Sequence, residues 1–181
     1  MTTFIALLRG INVSGKNRIC MPDLKNALES LKLSAVETYI QSGNVVFDCE
    51  AIDPEDLTRL IEGKIVKSFG ANMEVLLREL DSLQRIVENN PFRPGAKFNP
   101  EKLHITFLSD IPRSPESMVS GEQNDDVFQR KECDIYLYCP NGYGRTKFSN
   151  AYFEKVMGIP ATTRNWKTVN TLVEIAKKRV S

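Results

Sequence analysis

Five consecutive apolar residues near the N-terminus constrain the fold more than any other stretch of this chain. The run Phe4-Ile5-Ala6-Leu7-Leu8 shows no polar alternation, which predicts a short strand that is buried on both faces. A strand of this kind needs neighbours along both of its edges and cover on both of its sides. We therefore expect it to be the central strand of its sheet.

The elements that follow this strand have a recognisable order. Pro22 opens a helix with an apolar stripe, and Ser42-Gly43 separates two short strands as a tight hairpin would. A second helix begins after Asp53 and ends at Gly70, and a fourth strand follows. The order strand, helix, strand, strand, helix, strand is that of a ferredoxin-like split βαβ unit.

The second half of the chain contains similar elements in a less regular order. Alternation predicts strands at 103–107, 127–130 and 133–139, and the polar stretch 109–126 is typical of a mobile flap. Helices are predicted near residue 81, after Ser149 and from about Thr163. We expect an α+β protein of two ferredoxin-like halves with antiparallel sheets, residues 1–78 and 79–181, the second half being a variant of the first.

Composition excludes several classes of protein. A hydrophobic fraction of 41% and a charged fraction of 26% are those of a folded domain, and the net charge of +1 gives no overall attraction to nucleic acid or membranes. The sequence shows neither a secretory leader nor an apolar run that is long enough to span a membrane. The four cysteines form no C-x-x-C pair, so we expect reduced thiols, no metal, no cofactor and a cytoplasmic protein.

The segment after the first strand is the main candidate site. Gly10 and Gly15 allow positive φ angles and a close approach of the backbone to a ligand, while Arg9, Lys16 and Arg18 supply positive charge. The spacing resembles G-x-x-x-x-G-K-[ST], but Asn17 stands where a magnesium-binding hydroxyl is required. The predicted hairpin also differs from a nucleotide-binding fold, so the segment is a candidate anion site and not a P-loop.

A second candidate is the segment Thr162-Thr163-Arg164-Asn165-Trp166. A threonine at a helix entrance with an arginine beside it favours an anion, although Trp166 is equally typical of a core residue. His104, the single histidine, is predicted to be structural, because neither a triad nor a histidine-rich metal site can be built from it. Tyr136, Tyr138 and Tyr143 lie near basic residues, but the sequence contains no RNA-binding signature.

Four separated blocks, LLRGINVSGKN, MPDLKNALESL, TYIQSGNVVF and TTRNWKTVNTL, resemble a bacterial family known as domain of unknown function 1697. The resemblance implies an architecture of two ferredoxin-like halves. It implies no established activity and assigns no catalytic residue. The matching positions are Arg9, Gly10, Asn12, Gly15, Lys16, Gln41, Ser42, Gly43, Asn44, Thr163, Arg164, Asn165, Trp166 and Thr168.

From these observations we expect a module that binds an anionic small molecule or a phosphate group in a cleft between the halves. The expected ligand-binding residues carry cationic or amide side chains: Arg9, Lys16, Arg164, Asn12, Asn17, Asn44 and Asn165. One alternative is a metal-independent phosphoryl or acyl transfer enzyme, by fold-level analogy with acylphosphatase. Another is a nucleic-acid or protein interaction module. The sequence gives no catalytic residue and no oligomeric state.

Overall fold

The computed structural model describes residues 1–13, 15, 17–113 and 118–179. Within these residues the protein is a mixed α+β structure, with nine strands in two antiparallel sheets and five α-helices. The chain divides into two compact units, Met1–Gln84 with Leu172–Ser181, and Arg85–Thr171. The predicted α+β class and the antiparallel sheets are confirmed, whereas the domain limits 1–78 and 79–181 stay a prediction.

The first unit follows the predicted order of elements. Its sheet has the strand order β2-β3-β1-β4, and each neighbouring pair is antiparallel. The helix α3, which follows β4 directly, continues past the end of this unit. The elements are β1 (Thr2–Leu8), α1 (Met21–Glu29), β2 (Ser34–Tyr39), β3 (Asn44–Cys49), α2 (Pro54–Phe69), β4 (Val75–Glu79) and α3 (Leu80–Glu88).

The strand β1 is central and buried on both faces, as its sequence predicts. It pairs with β3 on one side and with β4 on the other. Phe4, Ala6 and Leu8 pack into a core cluster with the apolar stripes of α1 and α2. Ile5 and Leu7, which alternate with them and point to the opposite face, are fully buried as well.

Local capping explains the limits of α2. The carboxylate of Asp53 accepts hydrogen bonds from the backbone N–H groups of Glu55 and Asp56, which have no partner inside the helix. Gly70 adopts φ 65° and ends the helix in a left-handed conformation that costs other residues free energy. Both predicted ends of this helix are therefore confirmed.

The second unit contains a five-stranded sheet with the order β6-β7-β8-β5-β9. The helix α4 packs with aromatic residues of the core on one face of this sheet, where Phe128, Phe148 and Phe153 meet. The last helix, α5, begins in this unit and ends in the first. The elements are β5 (Leu103–Leu108), β6 (Ser120–Gln123), β7 (Asp126–Lys131), β8 (Asp134–Tyr138), α4 (Asn150–Met157), β9 (Ala161–Asn165) and α5 (Trp166–Lys177).

The structure differs from the sequence prediction in two places. The last helix begins at Trp166 and not near Thr163, because residues 161–165 pair with β5 as the edge strand β9. The predicted flap at 109–126 contains the strand β6, which forms a hairpin with β7 through Asn124 and Asp125. Residues 114–117 of that predicted flap lie outside the described residues.

Candidate functional site

In the loop between β1 and α1, residues 9–20, four of the described residues have left-handed backbone angles. Gly10, Asn12, Gly15 and Asn17 adopt φ angles of 74°, 54°, 77° and 48°. This left-handed region is open to glycine and comparatively favourable for asparagine. The glycines and asparagines identified in the sequence are therefore the residues that bend this loop.

Asn12 closes the loop through its side chain. Its Nδ2 donates to the carbonyl oxygens of Ile19 at 3.1 Å and Gln41 at 2.9 Å, and its Oδ1 accepts from the backbone N–H of Ile19 at 2.9 Å. Its own backbone N–H donates to the carbonyl of Asn17. Asn12 thus joins both ends of the loop to the turn between β2 and β3.

The other two asparagines that the sequence predicted as ligand-binding residues in the first unit, Asn17 and Asn44, also bind backbone. Asn17 donates from Nδ2 to the carbonyl oxygen of Gly10 at 3.3 Å. Asn44 is fully buried and donates from Nδ2 to the carbonyl of Tyr39 and to Oγ of Ser42. These amides hold the loop and the hairpin in place, and their predicted role in orienting a ligand stays a prediction.

The cations of the loop differ in their surroundings. Arg9 is half-exposed, and its Nε lies 3.6 Å from Oε2 of Glu74, which offsets part of its charge. Arg18 is exposed, and its guanidinium lies 3.7 Å from the position that a Cβ on Gly15 would occupy. A Cβ there would make only an ordinary van der Waals contact, so it is the φ of 77° and not a lack of space that favours glycine at this position. The predicted site residue Lys16 lies outside the described residues.

The helix α1 begins where the loop ends. Cys20 occupies the N-cap position and provides no side-chain hydrogen bond to the first turn. Free backbone N–H groups at a helix start carry partial positive charge and favour anions, although the carboxylate of Asp23 in the first turn shares this environment. The positive groups of the loop and the helix start therefore belong to one connected segment of chain.

Arg164 and Asn165 belong to the second unit, on the edge strand β9. Arg164 is buried, and its NH1 donates to Oγ1 of Thr162 at 2.7 Å and to the carbonyl of Thr163 at 3.0 Å. Burial lowers its pKa to about 10, so it stays charged at neutral pH. Asn165 caps α5, because its Oδ1 accepts from the backbone N–H of Thr168 at 2.8 Å. The predicted meeting of Arg9, Lys16 and Arg164 stays a prediction.

Beside Arg164, a group of polar side chains forms a hydrogen-bonded chain that sequence reasoning did not find. Oγ1 of Thr106 and Oγ1 of Thr163 are 2.7 Å apart, and Thr163 also bonds Oδ1 of Asn150. The hydroxyl of Tyr143 donates to the same Oδ1 at 3.1 Å. The pairing of β5 with β9 brings Thr106 and Thr163 together. No sequence motif predicts this pairing.

His104 lies against this group, with its ring stacked on that of Tyr143 at a centroid distance of 4.9 Å. Burial lowers the pKa of His104, which favours the neutral imidazole near pH 7. Burial also raises the pKa of Tyr143, while hydrogen bonding to Thr163 opposes that shift. Both rings are therefore held in their neutral forms near pH 7, and the structural role predicted for His104 stays a prediction.

The three tyrosines weighed as an RNA-binding platform do not share one surface. The register pairs Tyr136 with Ile105 and Leu137 with His104, so Tyr136 and His104 lie on opposite faces of the sheet. Tyr143 stacks on His104, whereas Tyr136 is buried and donates its hydroxyl to the carbonyl of Ile86. The structure therefore offers no three-tyrosine stacking platform.

The residues that the structure describes form neither a metal cluster nor a membrane-spanning helix. No group of three or more histidine, cysteine, aspartate or glutamate side chains is arranged there to hold a metal ion. In the same part of the chain, no helix combines the length and the apolar character that crossing a membrane requires.

Comparison with known proteins places the chain in a family. Residues 1–136 match the model described as "Protein of unknown function (DUF1697)", and the chain therefore belongs to this family. The block Thr162–Leu172, which also resembles the family, lies beyond the matched residues. A search of curated proteins gave no match.

The fold also has a counterpart among solved structures. The structure of the conserved bacterial protein SP0830 from Streptococcus pneumoniae aligns with a TM-score of 0.74 and 24% sequence identity. The alignment covers 97% of this chain and 98% of that chain. The similarity establishes a shared fold, and at this identity it says nothing further about activity.

Proposed function

We propose that this protein binds an anionic small molecule that carries a phosphate or carboxylate group, and that loop 9–20 of the first unit forms the binding surface. The observation that carries this proposal is the closure of the loop by Asn12, which bonds Ile19 twice and Gln41 once. A loop that is already fixed loses less conformational entropy when a ligand binds.

The charges of this loop suit an anion better than a cation. Arg18 is exposed beside Gly15, and Arg9 is half-exposed at the end of β1. A guanidinium binds phosphate and carboxylate through two parallel hydrogen bonds, which gives orientation as well as affinity. The uncapped start of α1 adds backbone N–H groups of the same polarity.

We also propose that the first unit is ferredoxin-like and that the second is a variant of it. The order β2-β3-β1-β4 and the alternation of helices with strands in the first unit support this. The second sheet repeats the order as β7-β8-β5-β9, with β6 added at one edge. In the described residues, β6 stands between β5 and β7, where the first unit has a helix.

The proposed setting is the cytoplasm. All four cysteines are free thiols, Cys20 exposed, Cys139 buried and the other two in between, as is usual where the compartment is reducing. The enzymatic alternative stays a prediction without a specific observation in its favour. In the analogy with acylphosphatase, Asn44 is the candidate for the asparagine that assists phosphate binding, but it is buried and binds Tyr39 and Ser42.

The test compares how inorganic phosphate and citrate raise the melting temperature of the wild type, of Arg18→Ala and of Arg9→Ala, at constant ionic strength. A ligand that binds only the folded state stabilises it in proportion to ln(1 + [L]/Kd). Arg59→Ala is the control, since Arg59 is an exposed arginine on α2 that bonds its own helix.

We expect both loop variants to melt near the wild-type temperature without ligand and to lose most of the ligand-induced increase, while the control keeps it. The same increase in all four proteins, or none in the wild type with either anion, would contradict the proposal. A shift with phosphate alone would identify phosphate esters as the ligand class, and a shift with citrate alone would identify carboxylates.

A further inference from the structure

The strand β6 forms one edge of the second sheet, and β7 is its pairing partner within the described residues. The two-residue turn Asn124-Asp125, with φ angles of 52° and 69°, fixes the register of this hairpin. The backbone N–H of Arg130 donates to the carbonyl of Val119 at 2.7 Å. Val119 therefore belongs to a hydrogen-bonded pair.

This register decides which backbone groups of β6 point away from the sheet. Hydrogen-bonded and non-hydrogen-bonded pairs alternate along an antiparallel ladder. Since the pair of Val119 with Arg130 is hydrogen-bonded, the pairs of Ser120 with Gln129 and Glu122 with Val127 are not. The N–H and C=O groups of Ser120 and Glu122 therefore face outward, and both residues are exposed.

A cavity of about 420 Å³ opens beside this edge, and we call it the edge pocket. It is lined by Phe92 from the loop after α3, by Ser120, Gly121 and Glu122 from β6, and by Val127, Phe128 and Gln129 from β7. Ser120 and Glu122 share one face of the sheet with their partners Gln129 and Val127, because side chains alternate between the faces along each strand. The pair of Gly121 with Phe128 alternates with them and belongs to the opposite face.

Aromatic packing holds the wall of the edge pocket in place. The ring of Phe92 lies 5.3 Å from that of Phe98, which meets the ring of Tyr138 edge-on at 5.0 Å. Val127 is half-buried on the floor. The pocket thus offers one apolar wall and floor, next to two residues whose backbone groups face outward.

We propose that the β6 edge binds an extended peptide segment of a partner protein, which adds a strand to the sheet and places an apolar side chain in the edge pocket. A peptide residue opposite Ser120 or Glu122 directs its N–H and C=O toward β6 and its side chain to the face of the pocket. The exposed carboxylates of Glu122 and Asp125 favour a lysine or arginine in the same peptide.

A second copy of this chain suits the edge pocket less well. Antiparallel pairing of β6 with its own copy brings Ser120 and Glu122, or Gly121 and Gln123, to the face of the pocket. Within β6 neither set contains an apolar side chain, so the pairing of β6 itself would place no apolar side chain in the pocket. A peptide that alternates an apolar with a polar residue can both pair with the backbone of β6 and place an apolar side chain in the edge pocket.

The probe is the fluorescently labelled peptide Lys-Thr-Leu-Thr-Leu-Thr-Lys, with blocked ends, titrated with the full-length protein and followed by anisotropy. Its matched control has the same sequence with N-methyl groups on both leucines, which removes the N–H groups that would face β6. Ser120→Pro removes an outward N–H of the protein and leaves the ladder to β7 intact. Glu122→Lys reverses a charge, and Glu101→Lys makes the same change outside the pocket.

We expect the probe to bind with a Kd below about 1 mM and to weaken about tenfold on N-methylation and with Ser120→Pro. We expect a several-fold loss with Glu122→Lys and none with Glu101→Lys, all three variants melting like the wild type. Amide resonances of Ser120 and Glu122 should shift with peptide. Equal binding of the N-methylated peptide, no binding at about 1 mM, or a self-association that Ser120→Pro abolishes would each overturn the proposal.

Discussion

Two asparagines of this protein were predicted from the sequence to bind a ligand, and in the structure their side chains bond backbone carbonyl groups. Asn12 and Asn17 adopt left-handed φ angles, and each donates its amide to carbonyl oxygens within the protein. An exposed amide beside glycines and cations gives the same sequence pattern in either role, because the same atoms make both kinds of hydrogen bond. The sequence therefore located the loop correctly and could not separate these roles.

A second single residue, His104, leads to a prediction about how the stability of the protein depends on pH. Burial lowers its folded-state pKa below the value of about 6.5 that it has in the unfolded chain. As the pH falls below that unfolded value, the unfolded chain binds a proton at His104 and the folded protein does not. The free energy of unfolding therefore falls until the pH passes the folded-state pKa. His104→Phe keeps an aromatic ring against Tyr143 and removes this titration.

We expect the unfolding free energy of the wild type, relative to that of His104→Phe, to fall as the pH is lowered from about 7.5 to about 5. Urea denaturation of both proteins across this range measures the difference. Carboxylates titrate in both proteins and cancel in the comparison. A difference that stays constant or grows toward acid pH would contradict burial as the cause.

At the scale of elements, the sequence predicts the helices better than the edge strands of the sheets. Asp53 with Gly70, and Ser149 with Gly158, mark the ends of α2 and α4 by specific capping bonds, so those limits follow from local chemistry. The strand β9 consists largely of threonine and arginine ahead of a helix, and its strand character comes from pairing with β5. Long-range pairing of this kind leaves no local signal.

The strand β6 was missed for a related reason. Its sequence, Ser-Gly-Glu-Gln, has no apolar alternation, and it is held by its hairpin with β7. Gly121 is required there because a Cβ would lie 2.4 Å from the ring of Phe128. A glycine of this kind looks in the sequence like any loop glycine, and only the packed aromatic ring explains it.

Substitution of Asn165 tests whether this residue caps the helix α5 or binds a ligand. If it serves to cap α5, Asn165→Ala lowers the unfolding free energy by about 1 kcal/mol. Ser149→Ala is the matched change at α4, where Oγ accepts from the backbone N–H of Tyr152 at 3.3 Å, and it should cost a similar amount. Urea denaturation measures both.

Neither cap variant should alter the stabilisation by phosphate or citrate. A change in ligand stabilisation with Asn165→Ala but not with Ser149→Ala would return Asn165 to the set of ligand-binding residues. The cost in stability alone would not distinguish the two roles, which is why the measurement includes the anions.

For the whole molecule, the family and the fold are established more firmly than the function. The chain belongs to the DUF1697 family over residues 1–136. The α+β architecture is seen in its two sheets and is shared with a solved structure at a TM-score of 0.74. The proposed anion binding rests on the loop of one unit, where a fixed backbone lies beside the exposed Arg18 and the half-exposed Arg9. The proposed function therefore depends on whether loop 9–20 binds an anion.

The most direct measurement is a titration of the wild-type protein with inorganic phosphate, followed by the backbone amide chemical shifts of the assigned protein at constant ionic strength. The account predicts saturable shifts that are concentrated at residues 9–24 and at the turn 40–44, and their loss in Arg18→Ala. Shifts centred on residues 161–168, shifts spread evenly over the surface, or no saturable shift with phosphate or citrate would contradict it.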